Sequence, residues 1–185
     1  MTILPSLTRA EDPRIVCTTS CMQFFGRFDL SNANSVASPQ SYSNNKLYFQ
    51  TWLTELQSRL SGTSTLNHVA VQGIHPGYVS TGIWTALRAP QDAKSIGFVD
   101  KLGNLLVGFF GIDPQQGSLA IVRAATAKEC AVAQRGGEGG GRYFNRIWAA
   151  EPMPYTTAPA SRQEIWDFVD GELQLKKKGL LDVLN

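Results

Sequence analysis

The chain has 185 residues, of which 43% are hydrophobic and 17% are charged. This composition is typical of a globular domain with a core and excludes an intrinsically disordered chain. A net charge of +2 without long runs of like charge gives no electrostatic basis for binding nucleic acid.

Cysteine and histidine content argues against a metal centre. The chain has three cysteines without a CxxC motif and only two histidines, so we predict no metal site. The N-terminal stretch MTILPSLTRAEDP lacks the basic start and long apolar run of a signal peptide. Reduced thiols and the absence of such a leader predict a cytoplasmic protein.

The first half of the chain is predicted to form two buried strands around one long helix. RIVCTTS at 14–20 is a β-branched apolar run, and HVAVQGIHPG at 68–77 is a second one that ends in a Pro-Gly turn. Between them a helical pattern runs from about Tyr42 to Leu60.

The second half is predicted to contain a helix, a strand and a last helix. Asp113 is a candidate N-cap, because Pro114 follows at the first helical position and Gln116 completes a capping box. RYFNRIWAA at 142–150 reads as one strand, and SRQE at 161–164 as the start of the last helix. Apolar strands that alternate with helices predict an α/β fold, with about three parallel strands covered on both faces.

Tyr42 and Lys46 are separated by one helical turn, and they begin a stripe on the face predicted to pack on the sheet. A nearby ammonium favours the phenolate form of a tyrosine, whose unperturbed pKa is about 10, so the pair suits acid–base chemistry. The alternative is an ordinary tyrosine beside a lysine that extends to solvent. The stripe comprises Tyr42, Lys46, Phe49, Leu53, Leu56 and Leu60.

Two further signals fall at the ends of the predicted strands. Ser20 closes RIVCTTS, and the Pro76-Gly77 turn follows the second strand. Ligands bind at the carboxyl ends of strands in parallel α/β sheets. We therefore expect Ser20, Tyr42 and this turn to meet at one edge of the sheet.

Four motifs follow one another along the chain: RIVCTTS, YSNNK, HPGYVST and DPQQGSLAIVRAAT. In this order they resemble the C-terminal half of the short-chain dehydrogenase/reductase family, in its retinol-dehydrogenase-like and fungal branch, over about Pro13 to Asp170. The resemblance implies one partial Rossmann-like, doubly wound domain over 1–185. It also implies an oxidoreductase that interconverts a carbonyl and an alcohol with NAD or NADP.

The resemblance also implies residue roles. Ser20 would polarise the substrate carbonyl, Tyr42 would exchange the proton, and Lys46 would tune Tyr42 and bind the nicotinamide ribose. Residues 82–112 would cap a small apolar substrate; the alternatives are a core-packing segment and, for LLVGFFGI at 105–112, contact with a membrane surface. The nicotinamide would be bordered by Pro76, Gly77, Val79 and Thr81.

The sequence lacks the phosphate-binding part of this site. The only glycine-rich stretch, RGGEGGGR, follows a predicted helix and lacks the G-x-G-x-x-G spacing. We therefore expect a truncated domain that is inactive on its own. Two alternatives remain: an interaction module that forms homo- or hetero-oligomers through the exposed edge of RIVCTTS, and a cofactor-free proton-transfer enzyme that uses Ser20, Tyr42 and Lys46.

Overall fold

The computed structural model describes residues 2–34, 40–80, 111–133, 136–137 and 139–184. The predicted cap segment 82–112, except for its last two residues, lies outside the described residues. The strands are β1 (Arg14–Thr18), β2 (Ala70–His75), β3 (Arg142–Asn145) and β4 (Trp148–Ala150). The α-helices are α1 (Leu4–Leu7), α2 (Ser41–Gly62), α3 (Pro114–Thr126), α4 (Pro154–Thr157) and α5 (Pro159–Leu173). Short 3₁₀ helices span Cys21–Phe25, Leu30–Asn32, Lys128–Cys130 and Asp182–Leu184.

The strands form one four-stranded sheet in the order β1-β2-β3-β4. The first three strands are parallel, with Cys17 opposite Gly73 and Gly73 opposite Tyr143. This confirms the predicted α/β fold with three parallel strands and helices beside them, and agrees with a partial Rossmann-like architecture.

The predicted single strand at 142–150 is wrong, because the chain reverses within it. β3 and β4 are antiparallel neighbours, with Asn145 opposite Trp148. The turn between them places Arg146 in the left-handed region at φ 58°. A glycine or asparagine there would have indicated the turn, but the sequence has an arginine.

Helices cover both faces of the sheet. On one face Leu53, Leu56 and Leu60 of α2 pack with Val71 of β2 in a buried cluster. On the other face Ile74 and Phe144 pack with Ala120 and Ala124 of α3. The sheet is therefore the middle layer of three, as predicted for parallel strands with apolar side chains on both faces.

Helix α2 confirms the predicted helix and extends it by one residue at the start and two at the end. Its face toward the sheet also carries buried glutamines that the stripe did not include. The Gln57 side chain accepts a hydrogen bond from the Val71 N–H (2.7 Å) and donates one to the Val69 carbonyl (3.1 Å). These two hydrogen bonds satisfy the Gln57 amide, so it can be buried beside the apolar cluster.

Arg14 connects the start of β1 to the end of α3. Its Nη1 donates hydrogen bonds to the carbonyl oxygens of Ala124 (3.0 Å) and Ala127 (2.7 Å), and its side chain is only 5% exposed. Asp12 pairs with the same guanidinium. A cation at a helix C-terminus is favourable because the last carbonyls carry partial negative charge.

The N-cap of the last helix lies three residues earlier than predicted, at Ala158 instead of Ser161. Helix α5 starts at Pro159, with Ala158 at the N-cap and no side-chain cap, so the predicted capping box at Ser161 is wrong. Proline at the first helical position suits this start, since it has no N–H to satisfy. Among the described helices, none combines the length and the apolar character needed to cross a bilayer.

Candidate active site

A pocket of about 340 Å³ lies at the carboxyl ends of β1 and β2. It brings together every described residue that the sequence marked as a candidate; Thr81 lies outside the described residues. The residues that line the pocket and were predicted are Ser20, Tyr42, Lys46, Pro76, Gly77 and Val79. Groups more than fifty residues apart in sequence thus share one cavity.

Ser20 is placed by the end of β1 and by a short 3₁₀ helix. It is the N-cap of the helix Cys21–Phe25, and its Oγ accepts a hydrogen bond from the Met22 N–H at 3.2 Å. The residue is 6% exposed. Because Oγ acts as an acceptor toward Met22, the hydroxyl hydrogen can still be donated to a ligand in the pocket.

Lys46 reaches from α2 to the end of β1. Its Nζ donates a hydrogen bond to the Thr18 carbonyl (3.2 Å) and lies 5.6 Å from the centroid of the Tyr42 ring. Burial lowers the pKa of Lys46, while the nearby Cys17 acts in the opposite direction. The helical spacing of Tyr42 and Lys46 thus places an ammonium over the tyrosine ring at the pocket.

The turn after β2 forms one side of the pocket. Gly77 has φ +103°, a conformation that other residues rarely adopt. Two backbone hydrogen bonds to Ile112 hold the turn in place. The Ile112 N–H donates to the Tyr78 carbonyl and the Ser80 N–H donates to the Ile112 carbonyl, both at 2.9 Å. This pairing presents Pro76 and Val79 to the cavity.

Helix α3 closes the opposite side. Its N-cap is Asp113, whose Oδ1 accepts from the Gln116 N–H at 2.9 Å, as predicted. A Cβ on Gly117 would lie 2.6 Å from Val79 Cγ2. Glycine at this position is therefore what allows α3 to approach the turn so closely.

His75 contributes a neutral aromatic wall. It ends β2, is 6% exposed, and its ring meets the Tyr78 ring edge to face at 5.7 Å. Burial lowers the pKa of His75 to about 4, so the imidazole is uncharged at neutral pH. It packs at the end of its strand.

The pocket combines hydrogen-bond donors with apolar surface. Ser20, Tyr42 and Lys46 supply donors, whereas Met22, Ile121 and the turn after β2 supply apolar surface. None of the described residues that line the pocket is a carboxylate, and this part of the chain holds no cluster of metal-binding side chains. This arrangement suits proton transfer to the oxygen of an uncharged carbonyl compound.

Sequence reasoning missed the α3 wall. Gly117 was the available signal, since a glycine inside a helical pattern often marks close packing. The lining by Pro114, Ser118 and Ile121 depends on how α3 packs on the sheet, which no local pattern reveals. The remaining missed residues are sequence neighbours of predicted ones at the ends of β1 and β2. The residues missed as pocket lining are Thr18, Thr19, Met22, His75, Tyr78, Pro114, Gly117, Ser118 and Ile121.

A scan against models of known protein families finds no match for the chain, and a search of curated proteins finds no significant relative. The family resemblance therefore stays a prediction from the motifs, and the function has to be argued from the pocket itself.

Proposed function

We propose that the pocket is the catalytic site of an oxidoreductase of the short-chain dehydrogenase/reductase type, which interconverts a small apolar carbonyl compound and its alcohol with NAD(P). One observation carries the proposal. Three separate motifs, at Ser20, at Tyr42 with Lys46, and at Pro76 with Gly77, line a single pocket. Each was selected from the sequence for a role in this chemistry.

The three polar side chains divide the work on the substrate oxygen. The Ser20 hydroxyl donates a hydrogen bond to the carbonyl oxygen and orients it. Tyr42 gives the proton that makes the alcohol, or accepts it in the oxidative direction. Lys46 is held over the Tyr42 ring, where its positive charge can stabilise negative charge that develops on oxygen during proton transfer.

The described residues fit the nicotinamide end of the cofactor. Pro76 and Val79 offer an apolar wall of the kind that a flat ring packs against. Lys46 uses one N–H on Thr18, so two further N–H groups are available to ribose hydroxyls. A bound nicotinamide would supply the hydride for the carbonyl carbon.

The described residues do not fit the pyrophosphate. The N-terminus of α3 borders the pocket, but Asp113 already accepts the Gln116 N–H there and Pro114 has no N–H to offer. A carboxylate at a helix N-terminus also repels a phosphate. We therefore expect the chain alone to bind the whole dinucleotide weakly.

Reduced nicotinamide mononucleotide, which lacks the adenosine half, tests whether the pocket binds the nicotinamide end alone. We expect it to bind the purified chain within about threefold of the affinity of NADPH, because the adenosine half adds little. Binding is followed by nucleotide fluorescence. The Lys46→Met variant should lose binding of both nucleotides, whereas the control Lys128→Met, at an exposed lysine, should keep it.

Two results would count against the proposal. If both nucleotides bound Lys46→Met as tightly as they bind the unaltered chain, the nicotinamide would not bind in this pocket. An affinity for NADPH about a hundredfold higher than that for reduced nicotinamide mononucleotide would show that the chain does bind the pyrophosphate.

A second candidate function is docking of another β-strand on β1. Among the strands that the structure describes, β1 is at one end of the sheet order and pairs with β2 alone. The Thr19 N–H bonds Ile74, so by alternation the N–H of Thr18 faces the open side. Light scattering should show self-association that Thr18→Pro abolishes; a chain that stays monomeric at every concentration contradicts this function.

A further inference from the structure

Lys46 is a primary amine at a mostly apolar cavity, which is an arrangement suited to covalent as well as electrostatic chemistry. We propose that Lys46 captures small apolar aldehydes as an imine, a reaction that needs no dinucleotide. This activity goes beyond the proposed oxidoreductase function, since it transfers no hydride and leaves the oxidation state of the aldehyde unchanged.

The surroundings of the amine carry the inference. The cavity offers Met22, Pro76, Val79 and Ile121 as apolar lining. The Nζ of Lys46 contacts two neutral groups, the Thr18 carbonyl and the Tyr42 ring. An amine in such surroundings is less strongly held in its charged form than one paired with an acid.

None of the ion pairs recorded in the described part of the chain involves Lys46. The ion pairs recorded there are all made by arginines: Arg14 with Asp12, Arg59 and Arg162 with Glu55, and Arg123 with Glu129. Burial is also the main influence on Lys46 and lowers its pKa. The neutral amine is the nucleophile, so both observations favour attack on a carbonyl.

The reaction balances with groups already at the pocket. The Nζ lone pair attacks the aldehyde carbon, a C–N bond forms, and the carbonyl electron pair moves to oxygen. Tyr42 gives that oxygen a proton and takes one from nitrogen. A second proton transfer from nitrogen to oxygen releases water, the C–O bond breaks, and a C=N bond remains. Ser20 donates a hydrogen bond to the oxygen throughout.

The experiment traps the imine on the purified chain. Hexanal and sodium cyanoborohydride are added at neutral pH without any nucleotide, and the modified lysines are mapped by peptide mass spectrometry over time. Lys176 and Lys177, which are exposed, serve as internal references in the same sample. We expect Lys46 to be hexylated about tenfold faster than either reference.

Controls separate capture at Lys46 from general lysine chemistry. Lys46→Arg keeps the charge but cannot form an imine, so fast labelling should vanish while Lys176 and Lys177 react as before. Tyr42→Phe should slow labelling of Lys46 alone. Circular dichroism of each variant checks that it is folded.

The outcome of the mapping decides the matter. Labelling of Lys46 no faster than that of Lys176 and Lys177 in the unaltered chain overturns the proposal, and this comparison needs no variant. The oxidoreductase proposal is tested separately by nucleotide binding, so either proposal can fail while the other stands.

Discussion

The Nζ of Lys46 donates a hydrogen bond to the carbonyl oxygen of Thr18 over 3.2 Å, which joins α2 to the end of β1. By the alternation of the ladder, this carbonyl faces the side of β1 that has no neighbouring strand among the described residues. Lys46 therefore has two roles. It hydrogen-bonds to a carbonyl at the edge of the sheet, and the same bond holds its amine at the pocket.

Replacing Lys46 with methionine should separate the structural role from the role in binding. Loss of the hydrogen bond costs about 1 kcal/mol, but removal of a partly buried ammonium offsets that cost. We expect the free energy of unfolding to change by less than about 1 kcal/mol at neutral pH, whereas nucleotide binding is lost. Urea unfolding measures the first quantity; a much larger loss of stability would mean that Lys46 is mainly structural.

Tyr42→Phe should abolish most carbonyl reduction without altering the fold. The substitution removes only the phenolic oxygen, and loss of one positioned donor lowers turnover by about 10²- to 10³-fold. Turnover is followed with reduced nicotinamide mononucleotide and a small apolar ketone. Tyr155→Phe is the matched control, because Tyr155 stacks on Phe28 and is 47% exposed. Equal rates for the two variants would exclude Tyr42 as the proton donor.

His75 should make the fold sensitive to acid. Its pKa falls from 6.5 to about 4 on burial, so below pH 6.5 the unfolded chain takes up a proton that the folded chain refuses. The free energy of unfolding is therefore unaffected by His75 above pH 6.5, and it falls by about 3 kcal/mol in total as the pH is lowered from 6.5 to about 4. Unfolding by urea at several pH values measures this slope.

The variant His75→Leu tests the source of that slope. With no imidazole to protonate, its stability should fall less between pH 6.5 and pH 4 than that of the unaltered chain. The same slope in both proteins would assign the acid sensitivity to other groups.

Gly73→Ala should destabilise the sheet. A Cβ at this position would overlap the side-chain amide of Gln50 and lie 2.9 Å from its Cδ. Gln50 is 1% exposed, so it has little room to move and the cost should be about 1–3 kcal/mol. Gly171→Ala in α5, where nothing lies within 4 Å, should instead stabilise by about 1 kcal/mol.

A second substitution identifies the cause. In a Gln50→Ala background the same change at Gly73 should cost much less, because the overlapping amide is gone. Urea midpoints of the single and double variants measure the coupling, and additive effects would show that Gln50 is not responsible.

The parallel sheet could be predicted because its first two strands are short apolar runs on either side of a long helix. RIVCTTS and HVAVQGIH are apolar without alternation, and the Pro76-Gly77 break ends the second one. Asp113 with Pro114 marked the start of α3 for a local reason, the capping of its first N–H groups. The reversal at Arg146 had no such signal, since a non-glycine residue adopts the left-handed conformation there.

The candidate site was predictable only in part for a similar reason. Tyr42 and Lys46 are linked by helical spacing, and Ser20 and Pro76 by the ends of adjacent strands, so their meeting follows from topology. Gly117 and Ile121 enter the pocket through the packing of α3 against Val79, which depends on tertiary fit. The sequence also showed no reason for the buried Gln57 of α2, which bonds to the backbone of Val69 and Val71.

Arg14 has a consequence for the accuracy of sheet assembly. A slip of β1 by one residue would turn every side chain to the opposite face. The guanidinium would then leave the two carbonyls at the end of α3 and enter the hydrophobic layer under α2, at a cost of several kcal/mol. One charged residue thus fixes the register of β1, which pairs with one neighbour, β2, among the described strands.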